Sequence, residues 1–136
     1  MSGRVSEKVR EAVASRANHR CEYCLVHEDD MVFPYQVDHI ISKKHMGNSE
    51  MTNLALACSV CNQFKGTDVA TYLPPDERLT PLFNPRTQKW DAHFSVFDGE
   101  IFPKSEIGMA TVQVLNLNDR DRVTLRRLLM LSKRYP

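Results

Sequence analysis

Cys21-Glu22-Tyr23-Cys24 and Cys58-Ser59-Val60-Cys61 are the two stretches that decide how this chain folds. Each leaves two residues between its cysteines, so one tight turn can aim both sulfurs at a single point. Two such knuckles have the spacing of a tetrahedral four-cysteine zinc site. They lie 33 residues apart, farther than in a compact zinc finger, so the segment between them must be a structured insert. Disulfides would suit a secreted chain, but no apolar stretch near Met1 resembles a secretory signal. A thioredoxin-like redox motif would need only one pair. With four thiols on one ion, no cysteine is left as a nucleophile, and a closed four-cysteine site has no open position for hydrolysis. The ion's work is mechanical: it ties residue 21 to residue 61. In isolated zinc-finger peptides such binding is worth on the order of 10 kcal/mol of folding free energy.

The insert contains Tyr35-Gln36-Val37-Asp38-His39-Ile40, in which Tyr35, Val37 and His39 alternate with Gln36, Asp38 and Ile40. Its β-branched and aromatic bias predicts a strand. Ser42 to Thr52 is polar, holds Gly47-Asn48 and reads as a loop. Asn53 precedes Leu54-Ala55-Leu56-Ala57, a second short strand that enters the second knuckle. A helix is predicted from Ser59 through Lys65, closed by Gly66. Two strands and a helix, clipped by zinc, thus carry Asp38, His39, Asn53, Asn62 and Lys65.

This arrangement resembles the HNH endonuclease family, the ββα-metal nucleases. The resemblance rests on Cys21-x-x-Cys24, Val37-Asp38-His39-Ile40, Asn53-Leu54, and Cys58-x-x-Cys61-Asn62 with Lys65-Gly66, all in order over residues 21–66. A looser tail, from Pro81 through Arg86 and Trp90 to His93-Phe94, looks like a bacterial subgroup. The implied fold class is α+β: a treble-clef-like ββα-metal core stapled by a four-cysteine zinc site, with an N-terminal helix and a C-terminal hairpin plus helices. The whole of 1–136 is expected to be one nuclease domain, with 67–136 as a C-terminal extension. The resemblance implies a metal-dependent endonuclease that hydrolyses DNA phosphodiester bonds by a single-metal mechanism. It makes His39 the general base, Asp38 and Asn62 ligands of the catalytic ion, and Asn53 the brace of the loop. Products would carry 5′-phosphate and 3′-hydroxyl ends.

Elementary chemistry supports these roles. A neutral imidazole, with an ordinary pKa of about 6.5, can accept a proton from water. Asp38 and Asn62 offer hard oxygen atoms, which suit Mg²⁺ or Mn²⁺ better than zinc. Many family members have histidine where this chain has Asn62, so this is an H-N-N version whose carboxamide should favour those hard ions. Plainer roles are open to each residue alone: a hydrogen-bonded structural histidine, a turn asparagine, a capping asparagine, a solvated aspartate. Co-occurrence on one zinc frame favours the catalytic set. The alternative from another class is a catalytically inactive zinc-dependent DNA-binding or interaction module.

The flanks supply candidates for holding nucleic acid. Lys65, one helical turn after Asn62, can steady a phosphate oxygen, as can Lys43, Lys44 and His45 in the loop, and Arg86 farther on. Ser6 can cap a first helix whose Val5, Val9, Ala12, Val13 and Ala17 repeat at helical spacing. Asp98-Gly99 between Phe94-Ser95-Val96 and Ile101-Phe102 predicts a hairpin. Ser105 can start a helix to about Leu115, weakened by Gly108, and Asn118 can cap a final one. On that last helix Arg122, Arg126 and Lys133 fall within an arc of about 40° and predict a basic stripe tracking phosphates. Leu125, Leu128 and Leu129 point elsewhere, toward a core.

Charge is consistent with this reading once it is divided along the chain. The 136 residues have a net charge of only +1, yet residues 1–20 hold five basic and two acidic side chains, and residues 120–136 six basic and one acidic. The centre is correspondingly acidic, so a divalent ion there would make it approachable by a phosphate. A hydrophobic content of 42% and the scarcity of glycine and proline exclude a disordered or collagen-like chain. The longest apolar run, Leu54 to Cys58, is far short of the roughly 20 residues of a membrane span. The expected protein is cytoplasmic, of bacterial or phage type, monomeric or homodimeric, with double-stranded DNA as partner and no membrane.

Overall fold

Strand β1 (Gln36–His39) pairs antiparallel with β2 (Leu54–Ala57), in the register Gln36↔Ala57, Val37↔Leu56, Asp38↔Ala55 and His39↔Leu54. The computed structural model describes residues 5–136, so Arg4 of the basic N-terminal stretch lies outside the described residues. Every residue of β2 is buried, which is why it reads as an unbroken apolar run. On the side of Asp38 it presents only Ala55 and Ala57, and these small residues leave room for longer side chains to reach the carboxylate. Helix α2 (Ser59–Lys65) follows one residue after β2; the Cys58 sulfur accepts from the Cys61 N–H and caps it, and Gly66 closes it. These three elements are the expected ββα unit.

Helix α1 (Glu7–Arg16) is capped by Ser6, whose Oγ accepts from the Val9 N–H at 3.2 Å. It buries Val13 and Ala14 and packs on β2. Arg10 donates to the Tyr35 carbonyl at 2.8 Å and Arg16 to the Met51 carbonyl at 2.8 Å, so one helix holds the approaches to both strands.

Beyond the core, β3 (Ala70–Leu73) and β4 (Arg78–Pro81) form a hairpin that the sequence reading did not assign. Its strands are short and half exposed, and β4 ends in proline, so alternation is too weak to register. A single turn, α3 (Trp90–His93), leads into β5 (Phe94–Phe97) and β6 (Glu100–Pro103). Asp98 and Gly99 both have positive φ there, 50° and 82°, as the predicted tight hairpin turn requires. Helix α4 (Glu106–Val114) packs on both hairpins, with Ser105 Oγ accepting from the Gly108 N–H at 3.0 Å. Gly108 is not a weakness here: a Cβ would lie 2.3 Å from the His93 carbonyl oxygen, so the close approach of α4 to that corner needs glycine. Among the described residues no helix is long and apolar enough to cross a membrane.

Helix α5 (Arg120–Leu131) departs from expectation in its cap, its basic stripe and part of its apolar face. Its cap is Asp119, which accepts from the Asp121 N–H, and not Asn118. Asn118 instead exchanges two hydrogen bonds with Ile101, at 2.9 and 2.8 Å, fastening β6 to the start of α5. The predicted basic stripe does not exist. Arg126 is 0% exposed and donates to the Gly99 carbonyl (2.7 Å), the Leu117 carbonyl (2.7 Å) and Asn118 Oδ1 (3.1 Å). Arg122 turns toward Leu115 and the cysteines, and Lys133 lies past the helix end with φ of 60°. Of the leucines expected on a core face, Leu129 packs against the core whereas Leu128 is exposed.

Arg126 therefore belongs to the stability of the fold. Arg126→Met leaves buried carbonyls without donors, and each lost charge-assisted bond is worth about 1.5–3 kcal/mol. Urea unfolding of the variant is expected to show a loss of at least about 2 kcal/mol. A variant as stable as wild type would return Arg126 to a surface role.

Candidate functional site

The four sulfurs of Cys21, Cys24, Cys58 and Cys61 lie within 4.8 Å of one another, all buried, and Cys24 Sγ is 3.8 Å from Cys58 Sγ. A tetrahedral site with zinc–sulfur bonds near 2.3 Å has sulfur–sulfur edges of roughly 3.8 Å, so the donor set fits zinc. The knuckles are built as the spacing demands. The Cys24 N–H donates to Cys21 Sγ at 3.4 Å, and the Cys61 N–H to Cys58 Sγ at 3.3 Å. Arg122, expected on a DNA-facing stripe, places Nη2 2.8 Å from Cys61 Sγ while Nη1 donates to the Leu115 carbonyl at 2.7 Å. Four thiolates on one divalent ion carry a net −2, and this guanidinium offsets part of it. The C-terminus also returns to the cluster, where Tyr135 Oη donates to the Cys24 carbonyl at 2.7 Å.

A groove of about 330 Å³ opens on the ββα unit and includes none of the four cysteines in its lining. Asp38, His39 and Asn62 line it, together with Ser42, Lys43 and Lys44. The end of β1 contributes the first two and the middle of α2 the third, so the zinc clamp that sets α2 against β1 also sets the spacing of this group. Asp38 is buried. Its Oδ2 accepts from Tyr23 Oη at 2.7 Å and lies 3.2 Å from Lys65 Nζ. Burial pushes its carboxyl up from the usual carboxylate range, and the Lys65 ammonium and Tyr23 hydroxyl pull the other way. Among the described residues the Asn62 carboxamide makes no protein hydrogen bond, and its oxygen is free for a ligand. The Nε2 of His39 lies 2.9 Å from Ser49 Oγ, whereas its Nδ1 is buried with no partner. Burial lowers the His39 pKa below the ordinary value; the cations Lys43 and Lys65 lower it too, against the opposing pull of Asp38.

Asn53 sits behind this group. Its Oδ1 accepts from the Ile41 N–H at 2.9 Å, and its Nδ2 donates to the carbonyls of Ile41 and Asn48, both at 2.8 Å. The loop between the strands is thereby pinned at its neck.

In this setting residues 21–68 match the family model described as HNH endonuclease. The segment is an HNH domain. Likeness to a curated protein runs beyond it on both sides. Over 127 residues the chain is 29% identical to the Septu protein PtuB of Bacillus thuringiensis, covering 92% of this chain and 47% of that protein. The chain thus spans about half the length of that relative. No solved structure gives a significant match.

The HNH domain treats the predicted nucleic-acid residues unequally. Lys43, Lys44 and His45 are exposed, and the two lysines line the groove. Lys65 is not a surface cation: it is 2% exposed, and besides Asp38 its ammonium donates to the Ile40 carbonyl at 3.0 Å and the His39 carbonyl at 3.4 Å. It holds the end of β1 and leaves no proton for a phosphate. Arg86 is likewise committed, forming an ion pair with Glu22 of the first knuckle and donating to the Leu54 carbonyl at 3.1 Å. Lys133 borders a separate recess with Arg20, His27, Asp29 and Arg134 that shares no residue with the groove. Two groups at the site were missed. Tyr23 carried a signal, since it lies inside a knuckle, but Ser49 was one polar residue in a polar loop.

Arg122→Met tests the charge contact on the cluster. Groups that contact metal ligands typically matter by 10–100-fold in metal affinity. Competition with a chromophoric chelator is expected to show a loss of roughly 10-fold or more in zinc affinity, with the stoichiometry of one ion retained. Equal affinities would reduce Arg122 to packing.

Proposed function

We propose that this protein is an endonuclease that hydrolyses phosphodiester bonds of double-stranded DNA, with His39 as general base and Asp38 and Asn62 holding one divalent ion. The observation that carries the reading is the convergence of Asp38, His39 and Asn62 on one groove within the segment that matches the HNH family. The donors fit a hard cation. A carboxylate offers about four lone-pair positions, and Tyr23 and Lys65 do not use them all. The Asn62 oxygen is a second hard donor, so Mg²⁺ or Mn²⁺ is the fitting choice. Bound there, such an ion supplies charge stabilisation to the phosphate and to the leaving 3′ oxygen.

The chain's own residues supply the rest. If Nε2 donates its proton to Ser49 Oγ, the lone pair of His39 resides on Nδ1, the nitrogen without a protein partner. The neutral imidazole of His39 is the base that takes the proton from the attacking water. Ser49 orients the ring, and Asn53 keeps the loop that carries Ser49 in place. Lys65 and Tyr23 fix the Asp38 carboxylate, so that little reorganisation is needed when substrate arrives. Lys43 and Lys44 hold the phosphate backbone along the groove.

A supercoiled-plasmid assay with Mg²⁺ or Mn²⁺ is the direct test. Wild type is expected to nick or cut, and His39→Ala to lose about 10²–10⁴-fold of the rate, the usual share of a general base. If both proteins leave the plasmid intact, or cut it equally, the reading fails. The acidic limb of the rate profile follows from the lowered pKa of His39. A base must be neutral to act, so activity falls as pH drops through that pKa, which lies below the free-imidazole value of about 6.5. Initial rates measured on folded, metal-loaded protein are therefore expected to hold at about pH 6.5 and decline below it; a flat profile between about pH 5 and 8 removes His39 as base.

A further inference from the structure

Between the pinned neck at Asn53 and the groove, the loop carries a short turn, Lys43–His45, that ends on Met46. Met46 is 94% exposed, and its backbone is left-handed, with φ of 71° and ψ of 22°. That conformation ordinarily selects glycine or asparagine, and an unbranched apolar side chain held there in water is doubly disfavoured. Leu25 shares this backbone region among the described residues but is half-buried, so it is the exposure of Met46 that packing does not account for. The tip is also stiff. The Ser42 carbonyl accepts from the N–H groups of His45 and Gly47, both at 2.9 Å, and the Lys43 carbonyl from Met46 at 3.0 Å. At Gly47 a Cβ would stand 1.7 Å from the Ile41 carbonyl oxygen, so the loop closes on itself with no slack.

We infer that Met46 is a wedge that enters the base stack of duplex DNA while Lys43, Lys44 and His45 hold the adjoining phosphates. This rests on the DNA reading above and deepens it: the substrate would be a duplex deformed at the point of cutting. Apolar side chains, methionine among them, are used in this way to unstack a step and kink DNA by roughly 20–90°. Charge selects the occupant. Three basic side chains precede Met46 directly, and two of them line the groove of His39. Another exposed apolar stretch, Val32-Phe33, borders a cavity where Glu7, Glu11 and Glu28 outnumber Arg10 and His19, an environment less favourable to phosphate than the Lys43–His45 turn. Pyrimidine–purine steps, which unstack most easily, should be preferred.

The test uses the full chain carrying His39→Ala, which binds without cutting, and a short duplex with donor and acceptor dyes at its ends. Anisotropy reads binding and energy transfer reads the bend. The expected result is a bend with His39→Ala alone, its loss on adding Met46→Ala while binding persists, and its retention with Met46→Leu. Bending that is equal with and without Met46, or binding with no bend in any variant, overturns the wedge. If no variant binds the duplex at all, the DNA reading fails and takes the wedge with it. Met46→Ala removes a side chain that is almost wholly in solvent, so unchanged thermal unfolding is expected to accompany the loss of the bend.

Discussion

Four sulfurs drawn to within 4.8 Å of one another are the constraint on which the remaining structure hangs. The first knuckle sits at the end of the chain's opening helix and the second at the start of α2, so closing the cluster sets α2 against β1. The residues inside and beside the knuckles then become attachment points. Glu22 receives Arg86, Tyr23 reaches Asp38, the Cys24 carbonyl receives Tyr135, and Cys61 receives Arg122. The C-terminal extension is therefore wired to the metal cluster and not merely laid over it. Loss of the ion would leave the half-buried Arg122 guanidinium facing an unclamped set of sulfurs and free the elements that position the groove.

The buried pair of Asp38 and Lys65 has a different logic. Taking both charges out of water is costly, and a hydrophobic pair of similar volume could serve stability as well or better. What the pair gains is position. The Lys65 ammonium touches Asp38 and the carbonyls of His39 and Ile40, so one side chain from α2 reads the carboxylate and the backbone beside the imidazole at once. The short β-ladder, only four residues long, has few interactions of its own with which to fix the end of β1 to this tolerance.

Much of the core was legible because local and global signals agree there. Leu54–Ala57 and Ser59–Lys65 run over the residues their patterns predict, and Asp98-Gly99 makes its hairpin turn. The positions of Asp38, His39 and Asn62 around one groove also follow from motif spacing, since the zinc clamp leaves them little choice. Failures occur where a residue's partner is far away in sequence. Asn118 has the chemistry of a cap, but Ile101 offers it two bonds, and Asp119 takes the cap. The β3–β4 hairpin escapes notice because only its packing against α4 distinguishes its two faces.

Sequence by itself determined the four-cysteine set that fits zinc, the ββα order and the presence of Asp38, His39 and Asn62 on that frame, because two-residue knuckles and short patterned elements carry them. Only the tertiary structure decided which cations are available to a ligand. Helical periodicity shows that Arg122 and Arg126 share a face, but not that the face meets the Gly99 and Leu117 carbonyls and the thiols of a distant knuckle. A guanidinium spends its donors on whichever acceptors the fold brings within about 3 Å. Which acceptors those are is a property of the closed chain, and it leaves Lys43, Lys44 and His45 exposed on the loop beside the groove.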